Sequence, residues 1–201
     1  MRAVYTQHDV PACGELRVAA GSIVTSAAAD LARERGVQII EVKRGEEPGL
    51  APPEETVAIG ADHGGFQLKQ SLLPVFHELG LSVRDAGVYE EKTADYPDIA
   101  VAVAEVVTSG AATRGVIIDG AGIGSAMAAN KVPGIRAALC YDLASARNSR
   151  EHNDANVLTL GGRLLTVSQA DAILRAWLAA KFLAGRHQGR VDKIMLIEKR
   201  P

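Results

Sequence analysis

Cysteine is almost missing from this chain. Only Cys13 and Cys140 occur in 201 residues, in different segments and with no metal-ligand spacing. That argues against a disulfide frame and against a zinc or other metal site, and it fits a reducing compartment. An excess of charge of one sign is missing too. The formal net charge is -2, which gives no support to a nucleic-acid partner or an anionic membrane, so any anion must be held locally. Long hydrophobic runs are absent: the apolar stretches are short and broken by charge or glycine. The opening "MRAVYTQHDVPACGE" lacks the basic start and apolar core of a secretion signal, so a cytoplasmic location is expected. There is no internal repeat and no low-complexity tract.

What remains is an ordinary globular composition. With 47% apolar and 23% charged residues, the chain is suited to one well-buried domain and a small appendage, not to disorder, collagen or coiled coil. The segment "KRGEEPGLAPPEE", residues 43–55, replaces apolar periodicity with charge, glycine and proline and reads as a linker. It separates an N-terminal extension, residues 1–42, from a main domain, residues 56–201. In the extension, "SAAADLARERGV" predicts a helix with Ser26 as N-cap and Gly36 as its stop, followed by a strand "VQIIEV". The extension is expected to be too small to bury its own core and to pack on the main body or on a partner.

After the linker, β-branched runs alternate with helical patterns. "TVAIG", "LSVRDAG", "RGVIIDG", "IRAALC" and "NVLTLGG" read as strands, and "FQLKQSLLPVFHELG", "YPDIAVAVAEVVTSG", "GIGSAMAANK", "DLASARNSREHN" and "TVSQADAILRAWLAAKFL" as helices. This alternation predicts an α/β fold, a parallel sheet with helices on both faces, with ligands bound where the strands end. Pro74 is expected to kink the first of these helices or to restart its last turns.

One stretch concentrates chemistry. In "IIDGAGIGSAMAANK" an apolar strand ends in Asp119, and Gly120, Gly122 and Gly124 follow before a helix. Glycines let the backbone turn tightly and gather N–H groups at the positive end of that helix, an anion cradle for a phosphate, a carboxylate or the oxygen of an enediolate. The spacing departs from the dinucleotide fingerprint, whose third glycine falls one place later, so no nicotinamide cofactor is expected. Asp119 is either a charge at a helix start or a catalytic base. Two further polar groups flank strands. "GADHGGF" places Asp62 and His63 after a strand, and "REHNDAN" places His152, Asn153 and Asp154 at a helix end, just before a strand. Arg163 follows "LGG", and "GRHQGR" supplies Arg186, His187 and Arg190. These arginines are either solvated surface charges or a clamp for a phosphate dianion.

From residue 56 to about 200 the chain resembles the type B ribose-5-phosphate isomerases and the wider family that includes galactose-6-phosphate isomerase subunits. "GADHGGF", "ADYPDIA", "GAGIGSAMAANKVPGIRAAL", "SREHNDANVLTLGGR" and "GRHQGRV" carry the resemblance. It implies a Rossmann-like fold, a homodimer or dimer of dimers with sites shared between subunits, and cofactor-free aldose–ketose isomerisation of a sugar phosphate through an enediolate. It also implies roles. His152 helps open the sugar ring with Asn153 beside it. Asp62, His63 and Tyr96 line the sugar site, and Arg163 binds phosphate or hydroxyl. Arg186, His187 and Arg190 form the phosphate clamp, reaching in from the other subunit. Gly120, Gly122 and Gly124 form the backbone hole. The chain departs from the family at the base, where many members carry Cys at the place of Asp119 and others Glu at the place of Ser125. Ala121 stands where Ser or Thr is frequent. A carboxylate can move the proton between the two carbons if N–H donors hold the enediolate oxygen, whereas Ser125 lacks a partner to activate it, so Asp119 is the expected base. The alternative is a non-catalytic sugar-phosphate-binding or scaffold protein.

The extension carries a shorter likeness. "LRVAAGSIVTSAAADLARERGVQI" is similar to a segment of some bacterial microcompartment proteins, which implies docking to or within such a shell. The alternative is an extension that decorates the dimer.

Overall fold

The structure, a computed structural model, describes residues 4–5, 10, 15–19, 21, 23–42 and 55–199. The chain divides into two compact units, Met1–Pro53 and Glu54–Pro201. Of the expected linker, residues 43–54 lie outside the described residues, as does Cys13.

In the first unit, β1 (Val4–Tyr5) pairs in parallel with β3 (Ile23–Val24), and β2 (Glu15–Ala19) with β4 (Gln38–Val42). Helix α1 (Ser26–Glu34) connects β3 to β4. Its N-cap is Thr25, one residue earlier than expected, because the Thr25 hydroxyl accepts the Ala28 N–H. The unit also corrects the expectation that it has no core. Val10, Leu16, Val18 and Val37 are buried against Ala28 and Ala32, whose small side chains let the helix sit close to the strands.

The second unit holds a five-stranded parallel sheet in the order β6-β5-β7-β9-β8, formed by β5 (Thr56–Ala61), β6 (Ser82–Asp85), β7 (Arg114–Asp119), β8 (Ala137–Leu139) and β9 (Val157–Gly161). Helices α2 (Phe66–Glu78), α3 (Tyr96–Thr108), α4 (Ile123–Ala129), α5 (Leu143–Asn153) and α6 (Val167–Ala179) link or follow the strands. Strand alternation builds two cores. Val57, Ile59, Val116, Ile118, Leu158 and Leu160 pack with Leu72, Phe76, Leu174 and Trp177 on one face. Ala58, Ile117 and Val157 pack with Ala100, Val103, Ala104 and Ala129 on the other. Helix α2 runs unbroken through Pro74. A further helix, α7 (Gln188–Ile197), follows a short 3-10 turn at Gly185–His187 and carries Arg190.

The topology positions the site. The helix after β5 packs on one face of the sheet and the helix after β7 on the other, so the chain diverges between two neighbouring strands. The crevice between them opens at the C-terminal ends of β5 and β7, where Asp62 and Asp119 stand.

Candidate functional site

Asp119 is the last residue of β7 and is only 4% exposed. Its carboxylate fills the expected anion cradle from within. Oδ1 accepts the Ala121 N–H at 2.7 Å and the Gly122 N–H, and Oδ2 accepts the Ser125 N–H at 2.9 Å. Of the three turn glycines, only Gly122 therefore gives its N–H to this carboxylate. Gly122 makes the turn possible, since its φ of +79° suits a residue without Cβ. The first-turn N–H groups of Ile123 and Gly124 find no acceptor among the described residues and stay open at the helix start.

Other expected residues gather at the same end of the sheet. Asp62, 7% exposed, folds its own loop by accepting the Gly64 and Gly65 N–H groups at 2.8 and 3.0 Å, and exposed His63 sits on that loop. A Cβ on Gly64 would come within 3.1 Å of the Gly120 backbone, so the turns after β5 and β7 touch. The Tyr96 ring lies on Gly124, where a Cβ would meet it at 2.5 Å; any larger residue at 124 would displace the ring. Arg163, held by its N–H to the Gly120 carbonyl at 3.0 Å, runs its side chain past Gly120. Ser125 is fully buried, and its hydroxyl has no hydrogen-bond partner among the described residues.

A second cluster forms elsewhere. The rings of His152 and His187 stack with centroids 4.2 Å apart and planes 5° from parallel. Asn148 Nδ2 donates to His152 Nδ1 at 2.8 Å, and Arg186 Nε donates to His187 Nε2 at 3.3 Å. Burial, then the neighbouring His152, Arg186 and Arg190, holds the His187 imidazole below its usual pKa. Asn153 and Arg190 are exposed beside this group. The following residue, Asp154, ends α5 at φ +46° and is held by Arg136 Nη2 and Arg150 Nη1, both at 2.9 Å.

The two clusters lie at opposite ends of the sheet. Because β8 and β9 are parallel neighbours, α5 between them must run back against the strands. Near its end, Arg150 shares the Trp177 ring with Arg114, the first residue of β7. Asp119 ends that strand, five residues on, roughly 16 Å away at about 3.3 Å per residue. A single chain thus brings together Asp62, His63, Tyr96, Asp119, Gly120, Gly122, Gly124, Ser125 and Arg163, and separately His152, Asn153, Arg186, His187 and Arg190.

Among the described residues no group of three His, Cys, Asp or Glu is placed to hold a metal ion, and no helix is long and apolar enough to cross a membrane. Cys140 is a free, buried thiol whose pKa is pushed up by burial.

Comparison with known proteins gives a consistent result. A family model described as Ribose/Galactose Isomerase matches residues 57–194. Ribose-5-phosphate isomerase B of Escherichia coli is 44% identical over 144 residues, which is 72% of this chain and 97% of that protein. The D-erythrulose-4-phosphate isomerase of Pectobacterium atrosepticum is 39% identical over 141 residues, covering 69% of this chain and 92% of that one. Among solved structures, ribose-5-phosphate isomerase B of Clostridium thermocellum aligns with a TM-score of 0.70 at 49% identity, over 72% of this chain and 97% of its own.

Proposed function

Because the chain belongs to the ribose/galactose isomerase family, we propose that it interconverts an aldose phosphate and its ketose through an enediolate, without a cofactor. The observation that carries this reading is the grouping of Asp119, the open N–H groups of the α4 start, Tyr96 and Arg163 at one crevice. Asp119 is the base. It takes the proton from the carbon beside the carbonyl and returns it to the neighbouring carbon, while the open Ile123 and Gly124 N–H groups at the helix start stabilise the oxygen that becomes negative. The three N–H bonds hold the carboxylate in one orientation: Oδ1 takes two of them, and Oδ2, which takes one, retains a lone pair for the proton. Asp62 and His63 line the sugar side.

His152 and Asn153 serve ring opening, and Arg186, His187 and Arg190 take the phosphate. Since those residues lie at the other end of the sheet, a complete site needs a second copy. In a two-fold dimer the phosphate end of each protomer faces the proton-transfer end of its partner. Tetrose and pentose phosphates are the substrate class, the former supported by the likeness to an erythrulose-4-phosphate isomerase. A cytoplasmic setting fits the two cysteines. For the N-terminal unit, outside the matched region, docking within a bacterial microcompartment is carried by its sequence likeness alone.

One observation favours a rival, a sugar-phosphate-binding protein without turnover: a carboxylate tied by three backbone N–H groups also serves as a fixed charge that shapes a turn. Turnover of ribose 5-phosphate and erythrose 4-phosphate in heavy water separates the two. The enzyme washes deuterium into the carbon next to the carbonyl, and Asp119→Asn loses both exchange and turnover by several powers of ten while sugar-phosphate binding persists. Binding by the wild type without exchange would make the rival the better reading.

A further inference from the structure

We propose that Tyr141 is a positioning residue for the proton-transfer turn: its phenol latches the Ala121–Gly122 peptide in the orientation that aims the Gly122 N–H at Asp119. The inference rests on the reading of Asp119 as the base. It starts from one hydrogen bond, Tyr141 Oη donating to the Ala121 carbonyl at 2.6 Å. That carbonyl and the Gly122 N–H belong to one planar peptide group and point to opposite sides of it. On one side the group accepts from Tyr141; on the other it donates to Asp119 Oδ1. Phenol, peptide and carboxylate thus form one chain of hydrogen bonds, in which each bond polarises the next.

Such a latch has a task here. Gly122 sits at φ +79°, and a peptide preceding a glycine can rotate about its flanking dihedrals at little steric cost. Rotation would turn the Ala121 carbonyl toward the Asp119 carboxylate and withdraw the Gly122 N–H. The wall behind the carbonyl is β9, since a Cβ on Gly161 would come within 2.8 Å of the Ala121 oxygen. Tyr141 closes the remaining side. It is itself well anchored: the preceding Cys140 N–H donates to the Thr159 carbonyl at 3.2 Å, and the following Asp142 forms a capping box with Ser145 at the start of α5. A ring rooted between a strand and a helix cap holds its hydroxyl in place better than one on a free loop.

The test is Tyr141→Phe, which keeps the ring and removes one oxygen. The protein is expected to fold with an unchanged unfolding midpoint, and the Gly122 amide proton resonance is expected to move upfield as its bond to Asp119 weakens. With ribose 5-phosphate or erythrose 4-phosphate, whichever the wild type turns over, kcat should fall roughly five- to tenfold, the worth of one net hydrogen bond, with KM unchanged. An unmoved Gly122 resonance overturns the latch whatever the rate does. A moved resonance with unchanged kcat, in a background where Asp119→Asn is inactive, overturns the positioning role and leaves the base assignment standing. If Asp119→Asn is as active as the wild type, the base reading has failed, and the amide resonance alone judges the latch.

Discussion

Lys69 offers a prediction whose size can be worked from the structure. Its side chain is fully buried on α2, yet it carries an ammonium group. That group donates to both Asp85 oxygens at 2.9 and 2.8 Å and to the Val88 carbonyl at 2.6 Å, and it lies 5.8 and 5.6 Å from the Phe66 and Tyr89 ring centres. Asp85 also accepts the Gly87 N–H at 2.9 Å, so this one cation ties the end of β6 to the loop that leads toward Tyr96. Lys69→Met keeps most of the volume but strands Asp85 beside an apolar side chain and leaves the Val88 carbonyl without its donor. Breaking a buried pair from one side costs about 3–5 kcal/mol, and the lower end applies because the Asp85 side chain is still 27% exposed and reaches water. At roughly 3 °C per kcal/mol for a domain of this size, the melting midpoint of the second unit should fall by about 9 °C. Urea unfolding should show a lower midpoint with an unchanged slope. Adding Asp85→Asn to Lys69→Met should restore part of the loss, since an emptied pair costs less than a half-emptied one. A loss below about 1 kcal/mol, or a double variant no more stable than the single one, would refute this account of Lys69.

Arg186→Ala and Arg190→Ala should each raise the KM for a sugar phosphate at least about tenfold while leaving the unfolding free energy within about 1 kcal/mol of the wild type, because exposed guanidinium groups gain their worth from the ligand; unchanged affinity in both variants would dismiss the clamp. The His187 imidazole is held below its usual pKa of about 6.5, so folding disfavours its protonated form. Its contribution to stability is therefore full above pH 6.5 or so and is lost as the pH falls through the lower folded value. His187→Asn should flatten the stability profile on that acid side, and an equally steep decline in the variant would assign the acid sensitivity to other groups. A chain beginning at Pro53 should fold, dimerise and keep the activity of the full chain, read by sedimentation and turnover; an insoluble or inactive product would tie residues 1–52 to the core or the site.

Much of the fold could be read from period and punctuation. Strands β5, β7 and β9 announce themselves as β-branched runs that are buried on both faces, and the glycine-bounded helices between them leave only the parallel sheet as an arrangement. The bounds of helix α7 are less legible, because "GRHQGRVDKIMLIEKR" carries two glycines near its start and leaves Ile194, Leu196 and Ile197 largely exposed, so no single apolar face marks them. The first unit's core escaped for the opposite reason: Ala28 and Ala32 are small, and what makes them core is the close approach they permit, which composition does not record. At the site, Asp62, Asp119 and Arg163 were legible as polar groups ending strands beside glycine. Tyr141 was not, since a bond to a backbone carbonyl twenty residues earlier leaves no trace in the identity of its partner.

The placement of His152 is the instructive case. Its sequence neighbours suggest that it belongs with the strand ends, because "REHNDAN" runs directly into a strand. Yet a helix that joins two parallel neighbours must return against them, and a residue at its end reaches the beginning of the next strand, not the end of the last. That rule alone separates His152 from Asp119 by the length of β7, and the stacked His187 carries Arg186 and Arg190 to the same end. On the proposed reading, each chain then has a proton-transfer pole and a phosphate pole that cannot meet within it. Two inactive variants, one lesioned at each pole, should therefore rescue one another. When Asp119→Asn and Arg186→Ala/Arg190→Ala subunits are unfolded together and refolded at equal amounts, half the dimers are mixed and one of their two sites is intact, giving about a quarter of wild-type activity. Full inactivity of the mixed dimers, isolated by differential tags, would mean that both poles serve the site from a single chain, and the antiparallel return of α5 would no longer account for the catalytic arrangement.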